Sequence, residues 1–319
     1  MVRERTLTVD AAPRMHQPWR PADGTSRRTA LGVLASGVAL ATLGPGTARA
    51  QQATPVAAGD WATVETVILD AEGTDGVIGV AVRGAGGELF ARHGDRRFRA
   101  ASTIKVPIMI ETYHQIERGV LSLDDRHILS EEEFVPGSGV LGHLHPGLEL
   151  TLADLLSLMI AVSDNTATNL ILDRTGLDAV NATMQDLGMT NSVLGRRILG
   201  RLPNPGDPEN WTTPRDFALA IDAIVSGAAA SPERCAAMLA TLEQQGEIRR
   251  ISRFLSGPGL RWGTKPGDLP GVINDVGFIA SNQGTLSIAV FTENLQDLDA
   301  AERAIGLIAL GALAAAAIV

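Results

Sequence analysis

Two lysines stand against 25 arginines in this 319-residue chain. Arginine keeps its proton inside a protein, whereas a desolvated lysine can release it. The amines at Lys105 and Lys265 are therefore read as kept for proton chemistry. Lys105 follows Ser102 by three residues, in Ser102-Thr103-Ile104-Lys105. On a helix that spacing stacks hydroxyl and amine on one face, about a turn apart. A serine hydroxyl is a weak nucleophile until a base removes its proton. A lysine whose pKa is lowered by burial can do so, and Ala100, Ala101, Ile104, Val106 and Ile108 offer the apolar wall. If Ser102 opens a helix, the dipole there also favours a developing oxyanion.

Two more clusters could share that site. Ser163-Asp164-Asn165 follows Ser102 by 61 residues. All three side chains compete for backbone hydrogen bonds and so break a helix. Ser163 could relay a proton to a leaving group, and Asn165 could accept from a lysine while donating to a substrate carbonyl. The third cluster is Gly263-Thr264-Lys265-Pro266-Gly267-Asp268. It reads as a glycine-rich turn ahead of a strand, where main chain approaches a ligand closely. A fixed cation at Lys265 would attract a substrate carboxylate.

The elements that must hold these clusters are legible in outline. Trp61 to Glu72 has helical spacing, and Val77–Val82 and Glu88–Ala91 read as a hairpin around Gly86-Gly87. Helical pattern runs from near Ser102 to Arg118 with Gly119 as its stop; Pro107, about one turn in, should delete a backbone hydrogen bond. Thr151 caps Leu152–Val162, helix resumes from Ala167, and 178–187 is amphipathic. Arg196 to Trp211 is a Pro/Gly-rich loop long enough to suspect function. Thr213-Pro214 and Ser231-Pro232 read as helix starts. Val272–Ala280 and Thr285–Thr292 read as strands, and Leu298–Val319 as an apolar helix. The expected fold is α/β of the α+β kind: an antiparallel sheet of about five strands flanked by helices, with an all-helical subdomain. Residues 60–100 with 215–319 would form the α/β part and 101–214 the mainly helical part.

Composition narrows the partners. The chain carries a net charge of −9, and residues 1–50 hold seven arginines against three acids, so the remainder is more acidic still. That argues against nucleic acid and anionic membrane as partners. The single cysteine, Cys235, excludes an intramolecular disulfide and a multi-cysteine metal site, and reads as a small core residue. The six histidines are scattered, so no metal and no cofactor is expected. A small-molecule substrate and a monomer are. Residues 1–50 read as an export signal: Ser26-Arg27-Arg28 precedes the apolar run Leu31–Leu43, and Ala48-Arg49-Ala50 is a small-x-small cleavage site. The apolar run is short for a membrane span. Residues 51–59 form a linker. The expected location is extracytoplasmic, with no stable membrane insertion after cleavage.

Ser-x-x-Lys, then Ser-Asp-Asn, then Lys-x-Gly resembles the active-site set of class A β-lactamases and penicillin-binding transpeptidases. The likeness extends through 98–110, 137–141, 155–169, 212–218 and 263–278, and covers essentially all of 60–319. It implies a serine hydrolase in which Ser102 is the nucleophile and Lys105 its proton acceptor. Ser163 would shuttle the proton to the departing nitrogen. Asn165 would orient substrate and Lys105, and Lys265 would set the field and hold the substrate carboxylate. Gly267 and Asp268 line the substrate, with the N–H groups of Ser102 and Asp268 as an oxyanion hole; one such donor is typically worth ~3–4 kcal/mol in the transition state.

Two departures qualify what the resemblance implies. Pro266 stands where the family has threonine, removing a hydroxyl worth on the order of 1 kcal/mol. The family's deacylating glutamate, about 17 residues before the Thr-Thr-Pro helix start, is absent. Residues 195–211 offer only Asp207 and Glu209 as acids, much closer to Thr212. Glu209 reads as a solvated loop acid rather than a substitute base. The expectation is hydrolysis of β-lactam amides through an acyl-enzyme on Ser102 with slow deacylation. The alternatives are a cell-wall peptidase or esterase of the same fold, or a non-catalytic β-lactam-binding protein.

Overall fold

In a computed structural model the described residues are 59–73 and 75–318. The export-signal reading and nearly all of the linker lie outside them. The chain opens with α1 (Ala62–Glu72) and the strands β1 (Val77–Gly84), β2 (Gly87–Arg92) and β3 (Phe98–Arg99). A 3-10 turn, Ala101–Ile104, leads into α2 (Lys105–Glu117). Then come β4 (Arg126–Ile128), β5 (Glu149–Thr151), α3 (Leu152–Ala161), α4 (Asn165–Thr175) and α5 (Leu177–Asp186). After a long loop follow β6 (Trp211–Thr212), α6 (Pro214–Ser226) and α7 (Pro232–Glu243). The strands β7 (Arg261–Leu269), β8 (Val272–Ser281) and β9 (Gly284–Glu293) precede the closing helix α8 (Leu298–Ala315).

The first and last strands share one antiparallel sheet in the order β2-β1-β9-β8-β7. Side chains alternate across it, as the two-residue period of a strand requires. Ile78, Val80, Val82, Leu286, Ile288 and Val290 face the core shared with α1 and α8. Ala81, Val276, Phe278, Ala289 and Phe291 face the core built from α2 to α7. On α8, Ile305, Ile308, Ala309, Ala312 and Leu313 recur at helical spacing and are buried. No described helix is long and apolar enough to cross a membrane.

Helix boundaries follow local chemistry. Thr151 and Asp154 form a reciprocal capping box at the head of α3. Thr213 accepts from Asp216 N, with Pro214 at the first helical position of α6. Ser231, expected to cap α7, makes no side-chain cap hydrogen bond. Pro107 costs less than its sequence position suggests. The chain is 3-10 through Ile104 and becomes α at Lys105, so Pro107 is third in α2, within the first turn of an α-helix, whose N–H groups lack α-type partners. The larger correction concerns Lys265. It lies not in a turn ahead of a strand but in the middle of β7, paired in register with Val276 of β8. Gly263, Pro266 and Gly267 hid a strand whose last half runs beside the Ser102 turn.

One small ribbon positions the site. Phe98 of β3 pairs with Thr212 of β6, and Ala100 N donates to Asn210 O at 2.8 Å. The chain therefore enters the 3-10 turn at Ser102 beside the end of the loop spanning 187–210.

Candidate active site

Ser102 is second in the 3-10 turn, where its N–H has no intrahelical acceptor. The residue before it, Ala101, has φ of 50°, a strained value for a side-chain-bearing residue. The turn is held from below. Asn274 of β8 donates to Arg99 O at 2.9 Å and accepts from Thr292 N at 3.0 Å. Gly267 of β7 packs so closely that an added Cβ would stand 3.0 Å from Ala100 O and 3.1 Å from Ser102 N. A side chain here would crowd the turn, and glycine eases the close approach of strand to backbone.

Lys105 is wholly buried. Its amine donates to Ser163 O at 2.6 Å, Ser163 Oγ at 3.0 Å and Asn165 Oδ1 at 3.0 Å. These three acceptors match the three protons of an ammonium, and the amine makes no hydrogen bond to the Ser102 hydroxyl. Burial, reinforced by the charge of Lys265, pushes the Lys105 pKa well below the ordinary lysine value, against a smaller opposing pull from Asp164. A neutral amine in this cage has two protons to donate and a lone pair to accept one.

The Ser163-Asp164-Asn165 break does more than interrupt a helix. Ser163 takes φ of 55° between α3 and α4. Asp164 caps α4 through Ala167 N at 2.9 Å, while its other oxygen accepts from Val140 N at 2.7 Å and Leu141 N at 2.8 Å. Asn165 donates to Pro136 O at 2.9 Å. A Cβ on Gly139 would collide with Asp164, and one on Gly200 with Pro136 O. The 136–141 turn, the helix break and the long loop are thus locked together.

Together these pieces enclose a cavity of about 340 Å³. Its lining comes from the Ser102 turn, from Ser138 and Asn165, from Asp268, Leu269 and Pro270, and from the long loop through Arg196, Ile198–Leu202, Glu209 and Asn210. Of the residues singled out in the sequence, Ser102, Asn165 and Asp268 line it directly. Lys105 and Ser163 stand behind Asn165. Gly267 touches the backbone of the Ser102 turn. Lys265 does not line the cavity: it is wholly buried and donates to Pro266 O at 2.8 Å. Burial lowers its pKa to about 7, partly offset by Asp275 and Asp268.

Sequence reasoning missed a buried charge cluster under β7. Arg250 forms an ion pair with Asp268, lies 3.3 Å from Glu302 and donates to Asn274 O at 2.9 Å. Asp275 accepts from Ile251 N at 3.2 Å, and its other oxygen has no partner. Burial raises its pKa to about 7 against the pull of Arg250. The pair Asn274-Asp275 inside the apolar run Val272–Ile279 was the available signal, because a buried polar group in a strand needs a partner. Glu209 needs a correction too. It is not a solvated loop acid: its side chain is 11% exposed, pairs with Arg196 at 2.7 Å and accepts from Asn210 N at 2.7 Å.

The family model described as the beta-lactamase enzyme family matches residues 61–316. Beta-lactamase L2 of Stenotrophomonas maltophilia is 31% identical over 146 residues, which are 45% of this chain and 48% of that protein. The chain spans about half the length of the first curated relatives it matches. A crystal structure of beta-lactamase from Sphaerobacter thermophilus matches with a TM-score of 0.79 and 53% identity, covering 82% of this chain and 98% of that one. A mutant of PBP-A, solved as its acyl-enzyme complex with penicillin G, matches with a TM-score of 0.67 and 25% identity, covering 78% and 95%.

Proposed function

The chain belongs to the β-lactamase enzyme family, and on that premise we propose that it is an exported serine hydrolase that opens β-lactam amides through an acyl-enzyme on Ser102. One observation carries the reading: a buried amine with lowered pKa, caged by Ser163 and Asn165, one turn from a serine that opens onto a cavity. Neutral Lys105 takes the proton as Ser102 Oγ bonds to the carbonyl carbon. The carbonyl oxygen becomes an oxyanion, received by the N–H groups of Ser102 and Asp268. The C–N bond then breaks, and the proton passes from Lys105 through Ser163 Oγ to the departing nitrogen.

Deacylation is proposed to be slow. A water attacking the ester needs a carboxylate placed to take its proton, and the family's loop glutamate is absent from 195–206. The two acids that line the cavity are each held by an arginine through one oxygen: Glu209 by Arg196, with Asn210 N on the same oxygen, and Asp268 by Arg250. The export reading rests on Ser26-Arg27-Arg28 and the apolar run after it. Benzylpenicillin followed by intact-mass spectrometry tests the function: an adduct on Ser102 that persists over many minutes is expected, and it disappears in Ser102→Ala. No adduct and no hydrolysis would end the β-lactam reading.

A second reading, a cell-wall peptidase or esterase, is favoured by one observation. Lys265 is turned to Pro266 O, and the threonine hydroxyl is missing, which weakens recognition of the β-lactam carboxylate. Faster turnover of D-Ala-D-Ala peptides or chromogenic esters than of a chromogenic cephalosporin would establish it.

A further inference from the structure

The charges around the cavity do not balance, and the imbalance sits on one residue. Three arginines lie in the stretch 196–201. Arg196 is paired with Glu209 inside the cavity wall. Arg197 is paired with Asp173, one of the nitrogens at 3.0 Å, outside the lining. Arg201 lines the cavity, is exposed, and makes a single hydrogen bond, from Nη1 to Leu202 O at 2.8 Å. No carboxylate among the described residues pairs with it. A guanidinium carries five N–H donors in a flat fork that matches a carboxylate. Elsewhere in the lining, the Asp268 charge is already taken up by Arg250. The lining is thus left with one uncompensated positive charge, among Ile198, Leu199, Leu202, Leu269 and Pro270.

We infer that Arg201 is a specificity residue: it receives a carboxylate carried on the acyl side chain of the substrate, whose apolar body lies against the leucine and proline wall. This rests on the acyl-enzyme reading above and adds the class of acyl donor to it. The inference concerns a charge on the long-loop side of Ser102. The Lys265 amine, enclosed in the sheet and bonded to Pro266 O, offers that group no contact. Arg201 takes no part in bond making, so its removal costs most for the substrate with a carboxylate on its acyl side chain.

Benzylpenicillin and α-carboxybenzylpenicillin differ by the one carboxylate at issue. The second-order rate of Ser102 acylation is measured for both, at low and high salt, in the wild type, Arg201→Gln and Arg197→Gln. The wild type is expected to favour the carboxylated compound about tenfold or more, as a hydrogen-bonded charge pair allows. Salt should erode that preference. Arg201→Gln should abolish it, slowing the carboxylated compound far more than benzylpenicillin, and Arg197→Gln should keep it. Absence of the preference in the wild type, or its survival in Arg201→Gln, overturns the inference. If neither compound acylates the wild type, it is the hydrolase reading that fails. Equilibrium affinities of the same two compounds for Ser102→Ala, with and without Arg201→Gln, then decide the Arg201 site by the same ratio.

Discussion

Gly267 lies so close to the Ser102 backbone that an added Cβ would stand 3.1 Å from Ser102 N, a contact that would crowd the turn. The strand carrying Gly267 is the floor on which the Ser102 turn rests. Gly267→Val is expected to push the 3-10 turn off that floor while the five-stranded sheet persists. Acylation by benzylpenicillin should fall by about 100-fold, the cost of a misplacement of about an ångström, with an unchanged far-UV circular dichroism spectrum. Acylation within a few-fold of wild type would show that the turn does not depend on this contact.

The proposed role of Lys105 as a base requires its neutral form. Burial and the nearby Lys265 charge lower its pKa well below the ordinary value, so the neutral form appears at lower pH than in a free lysine. The acylation rate should therefore rise with pH through that lowered pKa and level off well below pH 10. Lys105→Arg should remove acylation at every pH, because a guanidinium cannot give up its proton. A profile that keeps rising to pH 10 would show an unshifted amine.

Asp275 ties stability to pH. Its folded pKa, raised by burial to about 7, lies above the unfolded value near 4. Between these values the folded state binds the extra proton, so this group's contribution is present at low pH and is lost as pH rises toward 7. The slope attributable to one such group is at most about 1.4 kcal/mol per pH unit. Urea unfolding at pH 5 and pH 7 should show the wild type losing stability relative to Asp275→Asn over that interval. Equal changes in both proteins would place the Asp275 proton elsewhere.

Glu209 is held by Arg196 and by the N–H of Asn210. Glu209→Gln is accordingly expected to leave the lifetime of the acyl-enzyme within about threefold of wild type. Leu199→Glu, from a position that lines the cavity, supplies an unengaged carboxylate and should shorten that lifetime tenfold or more, within the range of general-base catalysis. Time-resolved mass spectrometry reads both. A lifetime extended tenfold in Glu209→Gln would make Glu209 the deacylating base.

The sequence by itself marked the candidate site residues and most of the scaffold. The rarity of lysine marked both amines, helical spacing joined Ser102 to Lys105, and strand and helix periods placed four of the five sheet strands and the flanking helices. These signals are local, set by side-chain periodicity and capping within a few residues. Three things were decided only by tertiary structure. Lys265 became a mid-strand residue because β8 and the Ser102 turn override the weak strand preference of Gly and Pro. Glu209 became an ion-paired wall residue because the β3–β6 ribbon draws the end of its loop to the Ser102 turn. Arg250, Asn274 and Asp275 became a buried cluster because partners far apart in the chain meet beneath β7. Each depends on which distant groups share a low-dielectric space. No window of neighbouring residues records that.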